Sequence, residues 1–150
     1  MRIEVTGSLP RGCGIDRRSL ADAAKRFAEA SRRRTGRGRV WHEVVVHLVG
    51  DEGSDEAHRA VMGIAGATDV ITQAYDAVPP EKPGLYGELF VNTDQALRAA
   101  PKRKGWCPAK ELLLYVAHGM DHLSGADDCA ESDYNRMRRR ELKWLNSLTF

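Results

Sequence analysis

Two histidines, His118 and His122, are separated by four positions in a stretch that also contains several carboxylates. On an α-helix, residues at this spacing project from one face, so both imidazoles can reach the same metal ion. Gly125 follows them, and glycine commonly ends a helix in a left-handed conformation. The chain can then turn and bring Asp128 back as a third ligand. Two histidines and one carboxylate leave a fourth position for water, as in a catalytic zinc site.

Histidine pairs at this spacing also occur as helix-surface or core residues that bind no metal. A metal site is favoured here because the pair follows an apolar helical run, residues 111–117, and precedes a glycine and two acids. A zinc peptidase of the H-E-x-x-H type has its general base directly after the first histidine, where this chain has Gly119. That glycine argues against a peptidase and leaves Asp121 or Asp127 as candidate bases. Cys129 is either a substitute ligand or a bystander thiol.

The formal net charge is only +2, but the charges are unevenly distributed. Basic residues form three clusters: residues 32–34 with Arg37 and Arg39, residues 102–104, and Arg136 with residues 138–140. Acidic residues gather near the predicted metal site, at Asp121, Asp127, Asp128, Glu131 and Asp133. Basic clusters beside a metal centre suit a polyanionic substrate such as RNA, although such clusters are also common on solvated helix faces.

Periodicity and capping residues predict the elements that must position these groups. Strands are predicted at 2–6, 40–49, 68–72 and 85–91. Helices are predicted at 17–34, capped by Asp16; at 55–63, capped by Ser54; from Asn92 or Thr93 to 100; after Pro108, carrying the histidines; and at 131–148. Three valines, Val44 to Val46, indicate that the second strand is buried on both faces.

The irregular interleaving of strands and helices predicts an α+β layer structure. We expect a four-stranded mixed sheet packed with about five helices, with the metal site at the end of a central helix. The length of 150 residues fits a single domain spanning residues 1–150. The sequence has no apolar run of about 18 residues, and its three cysteines have no CxxC spacing and cannot all pair. These features favour a soluble protein of a reducing cytoplasm.

These motifs resemble those of the YbeY family, whose fingerprint is H-G-x-L-H-L-x-G-Y-D-H. The positions that match the fingerprint are His118, Gly119, His122, Leu123, Gly125 and Asp127. Upstream, Glu111 matches the acid that commonly precedes the fingerprint, and residues 68–70 and 87–89 resemble the family blocks T-D-V-L-S-F and L-G-D-I. The resemblance covers residues 48–128. It implies a metal-dependent endoribonuclease of ribosomal RNA maturation and ribosome quality control, with one zinc ion per chain.

The chain departs from the family pattern at several positions. The third family ligand is a histidine, and Asp128 stands in its place. A carboxylate adds negative charge, makes a bound water less acidic and favours harder metals. The family arginine that precedes a glycine falls on Met62, and Arg59, one helical turn earlier, is the candidate to replace it as a catalytic residue. Two alternatives stay open: a ribosome-associated RNA-binding protein with a structural or degenerate metal site, and a metal-dependent hydrolase of another substrate.

Overall fold

The computed structural model describes residues 1–35, 41–82 and 84–148. It contains four strands: β1 (Arg2–Thr6), β2 (Trp41–Val49), β3 (Val70–Asp76) and β4 (Leu85–Asn92). Its helices are α1 (Arg17–Thr35), α2 (Asp51–Met62), α3 (Thr93–Ala99), α4 (Pro108–Leu123) and α5 (Glu131–Asn146). The predicted α+β architecture of a four-stranded mixed sheet and five helices is confirmed. Arg37 and Arg39 of the first basic cluster and the predicted strand start at Val40 lie outside the described residues.

The sheet has the order β1-β2-β4-β3, in which only β3 is antiparallel to its neighbour. Helices α1 and α4 form the core against one face of this sheet, where Val44 and Val46 are fully buried. The prediction that β2 is buried on both faces is wrong in part, because Val45 is only half-buried. On that second face His47 bonds Glu88 through Nε2 at 2.5 Å, so the face has a polar character.

Helix α4 is the central element of the fold, and almost all of its residues from Ala109 to Leu123 are buried. It ends at Leu123, and Gly125, the glycine that the sequence analysis assigns to the helix stop, follows with a left-handed φ of 100°. The amide of Gly125 donates to the carbonyl of His122 at 2.9 Å, and the amide of Ala126 donates to the carbonyl of Asp121 at 3.2 Å. This pair of bonds is a Schellman motif, which satisfies the last carbonyls and reverses the chain. The residues after Gly125 are thereby directed back towards α4.

Gly119 allows α4 to lie unusually close to the sheet. A Cβ atom at this position would be 2.7 Å from Leu89 Cδ2 and 3.2 Å from Val70 Cγ2, both side chains of the strands beneath. Gly119→Ala should therefore overpack the core, at a cost of about 1–3 kcal/mol that exceeds the roughly 1 kcal/mol gained in helix propensity. We expect a net loss of about 1 kcal/mol in the free energy of unfolding, measured by urea denaturation.

The control is Gly119→Ala made in a Leu89→Ala variant, which lacks the leucine methyl groups that the new Cβ would contact. There Gly119→Ala should be neutral or stabilising, since the added methyl enters a vacated space. An equal loss in both backgrounds would show that contact with Leu89 is not the cause.

Two boundaries differ from the prediction because contacts between distant segments decide them. Helix α2 begins at Asp51 rather than at 55, and the predicted cap Ser54 is buried inside it. Asp51 accepts from Arg98 Nη1 at 2.6 Å and from Asn92 Nδ2 at 2.9 Å, which extends the helix by one turn. Strand β3 spans Val70–Asp76 instead of 68–72, because β4 provides hydrogen-bond partners along this whole length.

Within the described ranges, no helix combines the length and apolar character needed to cross a membrane. The three cysteines are free thiols, of which Cys13 is buried while Cys107 and Cys129 are exposed.

Candidate metal centre

Helix α4 brings His118 and His122 together at its C-terminal end. Their ring centroids are 4.5 Å apart, and the two Nε2 atoms are separated by 3.1 Å. The turn after Gly125 returns Asp128, whose Oδ2 lies 3.5 Å from His122 Nε2 and 3.8 Å from His118 Nε2. The three residues predicted as metal ligands thus converge on one point, as the only such His, Cys, Asp and Glu cluster among the described residues.

The spacing of these three atoms fits a metal ion. A tetrahedral zinc site with bonds of about 2.0–2.1 Å places its ligand atoms roughly 3.3–3.4 Å apart, and the observed separations of 3.1, 3.5 and 3.8 Å bracket that value. The chemistry of the three atoms also fits. The facing atoms are two ring nitrogens and a carboxylate oxygen, each of which can act as an acceptor, so their close approach fits a shared cation or proton between them.

Each histidine is oriented by a hydrogen bond at its other ring nitrogen. His122 Nδ1 is 3.1 Å from the carbonyl oxygen of Ala126, which can only accept, so Nδ1 carries the proton. His118 Nδ1 lies 2.9 and 3.1 Å from the two carboxylate oxygens of Glu141 on α5. With Nδ1 donating in both residues, Nε2 presents its lone pair to the metal position. Carboxylate and carbonyl partners of this kind fix the tautomer of metal-binding histidines.

Glu141 is a site residue that the sequence analysis missed. It is fully buried, and it occupies the inward stripe of α5 between Met137 and Leu145. Burial raises the pKa of the Glu141 carboxyl, while the hydrogen bond from His118 opposes that rise. Burial also lowers the pKa of His118, but the hydrogen bond and charge of Glu141 outweigh it and leave that pKa raised. A glutamate between two apolar residues at helical spacing was the available signal.

Asp121, one of the two predicted bases, is not part of the converging cluster. Its side chain is fully buried, and its two oxygens accept from Arg140 Nε at 3.1 Å and Nη2 at 2.9 Å. Asp121 also raises the pKa of the Glu141 carboxyl. The bidentate ion pair between Asp121 and Arg140 joins α4 to α5.

Asp127, the other predicted base, is exposed beside Asp128. Its Oδ1 accepts from the backbone amide of Cys129 at 3.1 Å. The side chain and backbone of Cys129 lower the pKa of Asp127, and the charge of His122 acts in the same direction. The Cys129 thiol, in turn, has its pKa raised by Asp127, and it is not part of the converging cluster.

Arg59, the predicted catalytic arginine, is on the exposed side of α2. Its Nε donates to both carboxylate oxygens of Asp55, at 3.0 and 3.2 Å. Asp55 also accepts from the amide of Gly66 at 2.6 Å. The described contacts of Arg59 are therefore with its own helix and do not reach the histidines.

A polar cleft of about 540 Å³ lies beside the N-terminal half of α4. Tyr115 and Glu111 line it from α4, one and two helical turns before His118 respectively. Burial raises the pKa of the Tyr115 hydroxyl, with the charge and hydrogen bond of Glu111 acting in the same direction. Arg138 lines the cleft from α5, and its Nε lies 3.9 Å from Oε1 of Glu141, the partner of His118, so the cleft approaches the metal centre. Lys102 and Arg103 add two more cations to the lining.

Residues 11–149 match the family model described as Endoribonuclease YbeY. A relative of that name from Anaeromyxobacter sp. is 33% identical over 141 residues, which cover 94% of this chain and 69% of the relative. Another, from Kineococcus radiotolerans, is 33% identical over 144 residues, covering 91% and 79%. The solution structure of TM1509 from Thermotoga maritima superimposes with a TM-score of 0.56 at 23% identity, covering 96% of this chain and 87% of that one. This last similarity concerns the fold.

Proposed function

The chain belongs to the YbeY family of endoribonucleases, and from that premise we propose that it cleaves RNA at a zinc ion held by His118, His122 and Asp128. Family membership makes it an RNA-cleaving hydrolase. The observation that supports the zinc site is the convergence of three acceptor atoms within 4.8 Å of one another. Two imidazoles and one carboxylate match zinc, although the carboxylate also accommodates harder metals.

When bound, the ion would lower the pKa of a coordinated water towards about 7 or polarise a phosphoryl oxygen. The chain contributes the orientation of its ligands. Glu141 and the Ala126 carbonyl hold the two imidazoles with Nε2 towards the metal position. The side chain of Asp128 is 36% exposed, so substrate and solvent can approach from its side.

Asp127 is the residue that we propose as general base. It is exposed next to Asp128 and is ionised at neutral pH, which is the form that accepts a proton, although its lowered pKa makes it a weaker base than an ordinary aspartate. The contacts of Asp121 with Arg140 support a structural role for that residue instead. Arg59 could stabilise phosphoryl charge only after release from Asp55, to which it is bonded.

The cleft beside α4 supports RNA as the substrate of this centre. Lys102, Arg103 and Arg138 can contact phosphates, the main source of affinity for a polynucleotide, although Arg103 and Arg138 each also lie 3.9 Å from a glutamate, Glu111 and Glu141 respectively. By resemblance to the family, we propose ribosomal RNA as the substrate, in maturation and ribosome quality control at the small subunit. Such a substrate would place the protein in the cytoplasm.

Asp128 keeps a second candidate function open. Where the family has a histidine, this half-exposed carboxylate could weaken the centre and leave a ribosome-associated RNA-binding protein. The test is incubation of the zinc-loaded protein with an end-labelled ribosomal RNA fragment, followed by mapping of the product ends. Internal cuts that disappear in His122→Ala support the nuclease. Retention of the RNA without any cut supports the binding protein, and turnover of a non-RNA ester alone supports another hydrolase.

Asp128→Ala should weaken zinc binding at least about 100-fold, because the loss of one of three protein ligands leaves only the imidazoles. The measurement is competition with a chromogenic zinc chelator. Asp127→Ala is the matched control, since it removes a neighbouring carboxylate and should leave the zinc affinity unchanged while it lowers the cleavage rate. If Asp127→Ala loses zinc and Asp128→Ala retains it, the third ligand is Asp127.

A further inference from the structure

A second large concavity, which we call the α1–α5 groove, lies between helices α1 and α5. Its volume is about 870 Å³, larger than that of the cleft beside α4. Arg26 and Glu29 line it from α1, and Arg139, Lys143 and Trp144 line it from α5. None of these residues is part of the metal centre or of the cleft. The groove therefore needs an explanation of its own.

The charges around the groove are mostly uncompensated. Arg26, Arg139 and Lys143 are exposed, and none of them has an ion-pair partner among the described residues. Glu29 is the single acid among the described lining residues. A fourth cation, Arg140, is neutralised by Asp121. Three free cations around one concavity form a local positive field that favours a polyanion.

The floor of the groove is aromatic. Trp144 is half-buried, and its ring stacks on Phe27 of α1 with centroids 6.4 Å apart and an interplanar angle of 25°. This contact holds the indole in place where it lines the groove. A cationic rim over a fixed aromatic floor is the combination with which proteins bind single-stranded nucleic acid, through phosphate contacts and base stacking.

Helix α5 connects this groove to the metal centre. The same helix places Glu141 against His118, Arg138 in the cleft on one side, and Arg139 and Lys143 in the groove on the other. An RNA strand that extends beyond the metal centre can therefore meet cations of α5 on either side. An acidic protein segment would match the charges of the groove, but it carries no nucleobases that could stack on the aromatic floor.

We propose that the α1–α5 groove binds single-stranded RNA, with phosphates on Arg26, Arg139 and Lys143 and a base against Trp144. The groove extends the substrate contact beyond the metal centre, so the inference rests on the proposed function. It makes a separate claim, however, because RNA binding in the groove requires neither zinc nor cleavage.

The experiment measures binding without cleavage, using His122→Ala as the parent chain so that the RNA stays intact. The probe is a fluorescein-labelled oligouridylate of about twelve nucleotides, followed by anisotropy at several salt concentrations. Arg139→Glu with Lys143→Glu should weaken binding at least about tenfold. It should also reduce the slope of log K against log salt by about 1.4, because each lost phosphate contact contributes about 0.7 on a single strand.

The matched control is Arg11→Glu with Arg18→Glu, which makes the same change in net charge at exposed positions outside the groove. It should alter the dissociation constant by less than about threefold, through long-range electrostatics that salt screens. Thermal melting of each variant verifies that it is folded. Equal losses in the groove and control variants would overturn the proposal.

Two further results separate this proposal from its alternatives. If oligoglutamate of equal length binds the groove more tightly than oligouridylate, an acidic protein segment is the occupant and the proposal is wrong. If the zinc-loaded chain with His122 intact fails to cut RNA while the groove substitutions still weaken binding, the proposed nuclease function fails and the groove remains an RNA site.

Discussion

Replacing His122 with alanine should abolish stoichiometric zinc binding and lower RNA cleavage by roughly 10³-fold or more, with little change in stability. The loss is large because the ion would supply both the acidified water and the charge stabilisation at phosphorus. Stability should change little, because the only described bond from His122 into the protein outside the ligand cluster goes to the Ala126 carbonyl, at 3.1 Å. Elemental analysis and the initial rate of cleavage measure the two effects.

His58→Ala is the matched control for this substitution. His58 also uses Nδ1 for a bond to a backbone carbonyl, that of Gly66 at 2.8 Å, and it is not in the metal cluster. We expect full zinc content and an unchanged cleavage rate in this variant. A His122→Ala protein that keeps one zinc per chain and its activity would refute the assigned metal centre.

His118→Ala should also lose zinc, but it should unfold more easily than His122→Ala. The buried Glu141 would lose the imidazole that lies 2.9 Å away, and a buried polar group deprived of its partner costs about 1–3 kcal/mol. The difference between the two alanine variants in the free energy of unfolding therefore measures the bond between His118 and Glu141.

Arg140→Met should destabilise the fold by about 3 kcal/mol, the second large effect that we expect. Asp121 is fully buried, and Arg140 occupies both of its oxygens, at 2.9 and 3.1 Å. Removing one member of such a pair leaves a buried charge without its partner, which typically costs about 3–5 kcal/mol. We expect a value at the lower end of this range because the Arg140 side chain is 24% exposed. Urea denaturation with a constant m-value gives the size of the loss.

The double variant Asp121→Asn with Arg140→Met should recover at least half of that loss, because the amide carries no charge to be left unpaired. Asp121→Asn alone also separates a structural residue from a general base. If Asp121 is structural, the pH dependence of the cleavage rate keeps its shape in this variant. The loss of the acidic limb of that profile would identify Asp121 as the base and contradict the assignment to Asp127.

Local sequence was sufficient to predict most of the fold, because each successful prediction depended on neighbouring residues. Asp16 accepts from the amide of Ser19 at 2.7 Å at the start of α1, and Asn92 accepts from that of Gln95 at the start of α3, as capping residues do. The prediction was wrong at Ser54, where a residue type that often caps helices is buried within α2. Its hydroxyl instead donates to the carbonyl of Thr68 and accepts from the amide of Thr68. No local sequence pattern encodes this contact.

The sequence by itself determined the spacing of the ligands. A four-residue separation on a helix places His118 and His122 on one face, and the glycine at 125 ends that helix because it adopts a left-handed conformation readily. Only the tertiary structure decided what surrounds the ligands. Glu141 is 23 residues from His118 along the chain, and the packing of α5 on α4 brings them together. Side chains that meet through such packing have no fixed separation in sequence, so the hydrogen bond that orients His118 and the α1–α5 groove follow from tertiary structure alone.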